Sequence, residues 1–353
     1  MSAAVPAPSV TLAVLTYNGR ELLDATLPSV LAQRSDGDLV VLVIDNGSTD
    51  GTALHVRERW PQVELLELPE NVGVAAALNR GVRASRSELV ALLNNDVELD
   101  AGWLAPLVDA LRAHPEAASA SGKLLRYHDR ERIDAAGDVL LRSAAGINRG
   151  AGELDRGQYD RPEAVFGACA GAALYRRCAF DVVGAFDETF FAYLEDVDWS
   201  MRAQLTGFSA RYEPTAIGFH MGGATTRRNR GRYLRLQRRN QLLLIAKTFP
   251  ASTLVRHGWR MAIHLALVLV ASARDGDLDQ LLAGWAAALR MMPGALRRRR
   301  AVRAMRRVRP RDVEALMIAG PPAGTGMRRR LLFEIAPDRA QRQIASAPDS
   351  QGA

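Results

Sequence analysis

Three carboxylates stand in four positions behind an aromatic, apolar run in the segment FFAYLEDVDWSMRAQLTG. If a helix runs from near Asp196 to Gly207, Asp198 falls in its first turn, where an acid suits the helix dipole and can pair with Arg202. A helix start needs only one acid, so Glu195 and Asp196 together exceed the structural need. A positioned carboxylate can take the proton of an attacking hydroxyl. We therefore predict chemistry at Glu195 and Asp196 and a structural role for Asp198.

Two other acids follow apolar runs, in VLVIDNGSTDG and NNDVELD. Asp45 could accept hydrogen bonds from a base or ribose, while the small residues after it let a ligand approach. A turn followed by a capped helix is the alternative. Asp96 facing a diphosphate could hold Mg²⁺ or Mn²⁺, which take few protein ligands; a polar loop is the alternative. His220, in IGFHMGGAT, could be a metal ligand, a phosphate-facing donor or a satisfied core group.

The elements that must position these residues alternate regularly in the first part of the chain. β-Branched, apolar runs occupy 10–17, 39–46, 63–70 and 88–96. Helical patterns lie at 20–33, 52–60, 74–84 and 102–113. Such alternation predicts a parallel sheet covered by helices on both faces. Ligands of such sheets bind beyond the carboxyl ends of the strands, where Asp45 and Asp96 stand.

The chain becomes helical and basic after about residue 226. The apolar run 261–273 is thirteen residues long, short of the ~20 that a spanning helix needs. We predict a core or interfacial helix there. The arginine-rich segment 295–311 favours a solvated face or an anionic membrane surface, and its lack of interleaved aromatics disfavours nucleic acid. The polar end, 312–353, is predicted to be a largely disordered tail.

Composition and local motifs exclude several classes. With 353 residues, 48% hydrophobic and 24% charged, the chain is typical of a soluble globular protein. The N-terminus has no basic and apolar signal pattern, which favours a cytoplasmic protein. Cys169 and Cys178 are too few for a disulfide scaffold and are predicted to be buried thiols. No G-x-G-x-x-G or P-loop motif follows a predicted strand, which disfavours dinucleotide oxidoreductases and P-loop proteins.

Several motifs together resemble a known family. TYNG, DNGSTDG, NVGVAAALNRG, NNDVEL, AGAALYRR, VGAFDETFFAYLEDVDWSMRAQLTGF and FHMGGAT occur in order over residues 10–240. They are similar to family-2 glycosyltransferases, most of all to the rhamnosyltransferase-like branch of the GT-A fold. The resemblance implies an α/β GT-A fold with a mostly parallel sheet, a Rossmann-like nucleotide-binding half and a helical, basic C-terminal region. It places a catalytic domain at 1–225, whereas the helical and basic character of 226–311 predicts a region that associates with a membrane surface.

The resemblance also implies a nucleotide-sugar donor, a divalent metal (Mg²⁺ or Mn²⁺) and transfer with inversion. Asp196 becomes the expected base with Glu195 beside it, and Asp96 and His220 the metal-site residues. Asp45 would bind the uracil or thymine end of the donor. The full nucleotide-sugar set is Thr16, Tyr17, Asn18, Asp45, Gly73, Asn79, Asn94 and Asn95. The general family pattern has an acid where this chain has Asn94, which removes one negative charge from the metal site.

Substrates are predicted only by class. The branch resemblance favours dTDP-rhamnose, with UDP-sugars open as alternatives. The basic helical region favours a lipid-linked acceptor, reached from the inner face of the plasma membrane by a peripheral protein that binds no nucleic acid. A glycan acceptor is the other possibility.

Three rival functions remain. One is a catalytically inactive nucleotide-sugar-binding module of the same fold. A nucleotidyltransferase should have a basic, glycine-rich stretch where this chain has TYNGREL. A nucleic-acid binder would leave the strand-end acids unexplained.

Overall fold

The structure is a computed structural model that describes residues 6–169, 171–222 and 230–320. Its centre is a mixed sheet. The strands of this sheet are β1 Val10–Thr16, β2 Leu39–Asp45, β3 Glu64–Glu67, β4 Leu89–Asn94, β5 Val97–Leu99, β6 Ala117–Arg126, β7 Asp129–Ala135, β10 Glu163–Val165, β11 Ala172–Arg176 and β12 Ser209–His220. Their order in the sheet is β10-β12-β6-β11-β4-β1-β2-β3; β5 also pairs with β12, and β7 with β6. A small hairpin joins β8 Asp138–Leu140 to β9 Gly146–Asn148.

Helices cover the sheet and extend beyond it. Those of the first part are α1 Arg20–Leu31, α2 Thr52–Arg59, α3 Val74–Ala84, α4 Leu104–Ala113, α5 Arg177–Val183 and α6 Glu195–Thr206. The C-terminal helices are α7 Arg230–Thr248, α8 Ala251–Asp275, α9 Leu278–Met305 and α10 Pro310–Ala315. The four strands and four helices predicted for the first hundred residues are all present, with ends shifted by a few residues.

The first four long strands form the predicted parallel part of the sheet. β1 lies between β2 and β4, with all pairings parallel, and β3 continues the layer beyond β2. Successive residues of β1 face opposite cores: Leu12 packs with one buried cluster and Ala13 with the other. Burial on both faces explains why these strands are apolar without alternation.

The second part of the sheet is mixed rather than parallel. β11 is antiparallel to both β4 and β6, while β12 runs parallel to β6. β7 folds back antiparallel to β6. This hairpin brings Asp134, near the end of β7, to His220 at the end of β12.

The C-terminal helices share one core with α6 of the first part of the chain. A single buried cluster contains Met201 and Leu205 of α6, Leu243 and Leu244 of α7, and Val302 of α9. The boundary predicted near residue 226 therefore does not separate two independent cores. The predicted tail boundary at 311 falls inside α10, and Ile318 bridges to Leu141. Residues 321–353 lie outside the described residues.

The prediction for the cysteines is right for one and wrong for the other. Cys169 is buried, whereas Cys178 is exposed near the start of α5. Cys178 lies on the solvent side of the short helix, while its neighbours Ala179 and Phe180 fill the core. Both thiols are free.

Candidate active site

The nucleotide-site residues predicted from β1 and β2 lie side by side. Thr16 and Asp45 end neighbouring parallel strands at the same register position. The loops beyond them are interlocked: the Asn18 amide donates to Ser48 Oγ at 2.8 Å, and the Ser48 amide donates to Asp45 Oδ1 at 3.0 Å. The side chain of Tyr17 is exposed beside them. The structure thus assembles a polar edge at the carboxyl ends of β1 and β2.

The two asparagines after β4 extend the same edge. Asn95 Nδ2 donates to Thr16 Oγ1 at 2.8 Å, and its carbonyl accepts from Thr26 Oγ1 at 2.7 Å. A Cβ at Gly19 would meet Asn95 Nδ2 at 2.1 Å, so a larger residue there would displace the Asn95 side chain from Thr16. Asn94 pairs with Leu15 at the end of the strand. Thr16, Asn94 and Asn95 are brought together as predicted.

Gly73 joins the nucleotide edge to the acidic segment. It precedes α3 with a φ of +89°, and its carbonyl accepts from Asn46 Nδ2 at 3.4 Å. A Cβ here would lie 2.6 Å from the carbonyl oxygen of Phe191. The chain just before Glu195 therefore packs directly on the residue that borders the predicted nucleotide site.

Asn79 has a different set of contacts from the other predicted nucleotide-site residues. Its Nδ2 donates to the Phe186 carbonyl at 2.9 Å and to Glu188 Oε1 at 3.0 Å, and its Oδ1 accepts from the Phe186 amide. These bonds use both donors of the amide to fix the segment 186–188 against α3. Its predicted place in the nucleotide pocket stays a prediction.

His220 lies between two carboxylates. Its Nδ1 is 2.8 Å from Asp134 Oδ2, and its Nε2 is 3.4 Å from Asp96 Oδ2. Burial alone would lower the pKa of His220, but the hydrogen bonds to Asp134 and Asp96 outweigh it and raise this pKa to about 10. The two predicted metal-site residues are thus adjacent, and Asp134 is a partner of His220 that the sequence did not indicate.

The donor set fits a divalent ion that is completed by its substrate. Two ligands at about 2.1 Å from one ion stand about 3.0–3.4 Å apart, so Asp96 Oδ2 and His220 Nε2, which are 3.4 Å apart, could hold one ion after Nε2 gives up its proton. Asp134 lies on the other ring nitrogen, the usual place of a carboxylate that orients a metal-bound histidine. Among the described residues, no group of three or more His, Cys, Asp or Glu side chains could hold a metal. Mg²⁺ or Mn²⁺ with phosphate and water in the remaining positions suits such a sparse site.

The acid pair lies at the start of α6, as predicted. The helix begins at Glu195 and ends before Gly207. Glu195 is buried, and that burial together with the charges of Asp196 and Asp198 raises its pKa to about 8. This shift favours the protonated form of Glu195, whereas Asp196 is partly exposed and its Oδ1 accepts from the Val197 amide at 2.8 Å.

Asp198 has the structural role predicted for it, within a larger network. It accepts from Arg202 Nε at 2.9 Å. Lys247 of α7 donates to Asp198 at 2.8 Å and to Asp187 at 2.7 Å. Arg298 of α9 lies 3.1 Å from Asp187. Burial would raise the pKa of Asp187, but Lys247 and the other partners lower it to about 2.

Residues 190–194, which we call the strap, lead into the acid pair with unusual backbone geometry. Phe191, Tyr193 and Leu194 have φ values of +63°, +72° and +65°. The Ala192 amide donates to the Phe190 carbonyl at 2.7 Å, which makes a γ-turn of the rare positive-φ kind. A non-glycine residue with positive φ costs about 1–2 kcal/mol, so the surroundings must hold the strap in place.

Comparisons with known proteins identify glycosyltransferases with similar sequences. The family model described as Glycosyl transferase family 2 matches residues 11–184. The chain is 29% identical over 255 residues to the N-acetylglucosaminyl-diphospho-decaprenol L-rhamnosyltransferase of Mycobacterium tuberculosis (strain ATCC 25618 / H37Rv), covering 66% of this chain and 82% of the relative. It is 31% identical over 192 residues to the Pre-mycofactocin glycosyltransferase of the same strain, covering 52% of this chain and 37% of the relative.

Solved structures show the same fold. GalNAc-T7 with UDP, GalNAc and Mn²⁺ matches with a TM-score of 0.55 and 13% identity over 70% of this chain and 49% of that chain. The mannosyltransferase PcManGT from Pyrobaculum calidifontis, in complex with GDP-Man and Mn²⁺, matches with a TM-score of 0.50 and 22% identity over 84% of this chain and 86% of that chain. The predicted GT-A fold is confirmed.

Proposed function

Because the chain belongs to glycosyl transferase family 2, we propose that it transfers a sugar, with rhamnose favoured, from a nucleoside-diphosphate sugar to a hydroxyl of a lipid-linked or glycan acceptor in cell-envelope polysaccharide synthesis. One observation carries the proposal. A continuous chain of contacts runs from the loop after Asp45 through Gly73 and Phe191 to Glu195 and Asp196. A donor on the strand edge would thus lie next to a potential base.

The chain's own groups suggest a direct displacement. Asp196 accepts the proton of the acceptor hydroxyl as the new bond forms, while the raised pKa of Glu195 favours its neutral form, which can donate a hydrogen bond. Asp96 and His220 would hold the divalent ion, which would stabilise the charge on the leaving diphosphate. A single displacement by the hydroxyl inverts the anomeric centre. It needs no covalent nucleophile.

The rhamnose donor and polyprenyl-linked acceptor are supported by the similarity to an N-acetylglucosaminyl-diphospho-decaprenol L-rhamnosyltransferase. The Mn²⁺ in the two solved structures of the same fold supports a metal of this class. We therefore propose dTDP-rhamnose with Mg²⁺ or Mn²⁺ as the first combination to test, ahead of UDP-sugars.

Donor binding should depend on metal and on Asp134. We expect dTDP-rhamnose with Mn²⁺ to raise the Tm of the full chain beyond the shift given by dTDP alone, since a ligand at a hundredfold excess over its Kd adds about 2.7 kcal/mol. Asp134→Asn should lower the apparent affinity for Mn²⁺, obtained from the Mn²⁺-dependent part of the Tm shift, about 10–100-fold, because His220 loses the carboxylate that orients it. The measurement is thermal shift against Mn²⁺ concentration.

The matched control is Asp129→Asn, on the same strand and paired with Arg132 instead of a histidine. Equal Mn²⁺ titrations for wild type and Asp134→Asn would remove Asp134 from the site. The absence of any donor-specific shift with dTDP-rhamnose or the UDP-sugars would favour a different donor or a different function.

The C-terminal helices present an apolar face that supports a membrane partner. Exposed side chains recur every three or four residues on one side of α8: Val255, Trp259, Ile263, Leu267 and Val270. The opposite side of α8, with Met261, His264 and Val268, is buried against the protein. Among the described residues, α8 is also the helix that is long and apolar enough to cross a membrane by length and composition. Its protein-facing side favours a position in the plane of the interface.

Exposed arginines on the neighbouring helix supply the charge that an anionic surface requires. They include Arg290, Arg297, Arg300 and Arg303 of α9. We propose a peripheral protein on the cytoplasmic face of the plasma membrane. Each Lys or Arg near such a surface contributes about 1 kcal/mol.

Membrane binding should depend on the apolar face of α8. We expect full-length protein to float with vesicles containing phosphatidylglycerol but not with pure phosphatidylcholine, and Trp259→Asp with Leu267→Asp to abolish flotation. Leu54→Asp, which changes an exposed leucine of α2, should have no effect. Point changes are preferable to truncation before residue 250, since truncation would remove part of the shared core. Unchanged flotation of the double variant would contradict this surface.

A further inference from the structure

The strap connects the two halves of the proposed site. At one end the Phe191 carbonyl accepts from the Ala75 amide at 3.2 Å and packs on Gly73, at the start of α3. At the other end Leu194 is the residue before Glu195, and the Tyr193 amide bonds to the Glu195 carboxyl. The conformation of these five residues therefore sets the position of the acid pair relative to the nucleotide edge.

The strap is held by one helix from the C-terminal region. Asn240 of α7 donates from Nδ2 to the carbonyls of Phe190 at 3.0 Å, Ala192 at 2.8 Å and Tyr193 at 2.7 Å. Arg239 donates to the Phe190 carbonyl at 2.7 Å and to the Thr189 carbonyl at 3.0 Å. The two N–H groups of one side-chain amide are thus shared among three of the five strap carbonyls.

The orientation of Asn240 is itself fixed. Its side chain is fully buried, and Arg239 Nε donates to its Oδ1 at 2.9 Å. This bond points the NH₂ group, and not the oxygen, toward the strap carbonyls. A residue whose only role was to fill the core would not need three donor contacts to a positive-φ backbone.

We propose that Asn240 is a positioning residue that holds the strap in its strained conformation and thereby places Glu195 and Asp196 for the transfer step. The inference rests on the proposed function for its catalytic consequence. The contacts of the Asn240 amide with the strap, which we call the clamp, are a property of the fold. It assigns part of the C-terminal helical layer to the active site. Removal of the amide releases the strap to relax toward ordinary backbone angles, which moves the acid pair without touching the donor.

The test compares full-length Asn240→Ala and Asn240→Asp with Gln241→Ala. Gln241 is the next residue of α7, is also buried, and donates to the Ala144 carbonyl at 3.4 Å instead of to the strap. Asn240→Asp keeps the size of the side chain but removes both N–H donors. Asn240→Ala avoids a buried charge and replaces Asn240→Asp if that variant does not fold. Hydrogen exchange of the amides of 190–196 is measured without ligands, followed by steady-state rates with dTDP-rhamnose and a polyprenyl-diphosphate N-acetylglucosamine acceptor.

We expect exchange in 190–196 to accelerate about tenfold or more in the Asn240 variants and to stay near wild type in Gln241→Ala. We expect kcat to fall about 10²-fold with the donor KM within about threefold, since misplacement by about 1 Å has such an effect on rate. Unchanged exchange in the strap, or equal kcat losses in the Asn240 and Gln241 variants, would overturn the proposal. If the wild-type protein shows no sugar transfer, that result counts against the proposed function alone, because hydrogen exchange in 190–196 tests the clamp separately.

Discussion

Asp196→Asn removes transfer while the donor still binds. We expect kcat to fall about 10²–10⁴-fold, the usual contribution of a positioned general base. Asparagine has nearly the same size and can still accept a hydrogen bond at the start of α6, so the fold should survive. The donor-induced Tm shift should therefore stay close to that of wild type. Initial rates and thermal shift on the same preparation separate the two effects.

Two further variants define the control. Asp181→Asn changes an exposed carboxylate on α5 and should leave kcat unchanged. Glu195→Gln should reduce kcat much less than Asp196→Asn at pH 7, because the pKa of Glu195 is raised to about 8 and glutamine resembles its neutral form. A rate for Asp196→Asn within tenfold of wild type, or a larger loss for Glu195→Gln, would reassign the base.

The parallel part of the sheet could be predicted because its sequence signals are local. β1 and β2 are apolar without alternation, and their last residues, Thr16 and Asp45, meet at the same register. The start of α6 could be predicted equally well, since the pairing of Asp198 with Arg202 depends only on helix geometry. Fold and acid pair therefore follow from short-range pattern and motif order.

The remainder of the site depends on contacts between distant segments. Asp134 reaches His220 from 86 residues away, through a β6–β7 hairpin that the irregular middle of the sequence did not indicate. Asn240 reaches the strap through the packing of α7 on α6, and no local pattern marks an asparagine inside RRNQ as a clamp. The dense arginines suggested a solvated face, yet Arg298 and Arg299 turn inward to Asp187 and the Ala246 carbonyl. Residue type alone does not show which member of a basic run is internal.

Lys247→Met should have the largest effect on stability. The Lys247 ammonium is buried between Asp187 and Asp198, whose side chains are also buried. Among the described residues, its removal leaves the two carboxylates with Arg298 and Arg202 as charged partners, and breaking a buried pair costs about 3–5 kcal/mol. A fall in Tm on the order of 10 °C follows for a domain of this size. Calorimetry or urea unfolding of the full chain gives the free energy of unfolding.

The pH dependence supplies a second readout. The folded-state pKa of Asp187 is about 2, below its usual value of 3.8. The stability it contributes is therefore present above pH 3.8 and is lost as the pH falls to about 2. Without Lys247, the largest favourable influence on this carboxylate is gone, so the acid-side loss should be smaller in Lys247→Met than in wild type.

The comparison variant is Arg57→Met, which removes an exposed cation paired with Glu67 and should cost less than about 1 kcal/mol. A similarly small loss for Lys247→Met would mean that Arg298 and Arg202 satisfy both acids by themselves. The two aspartates stand on either side of the strap, at 187 and 198, and Lys247 lies on the same helix as Asn240. A large loss would therefore show that α7 is bound to the catalytic segment by charge as well as by the amide clamp.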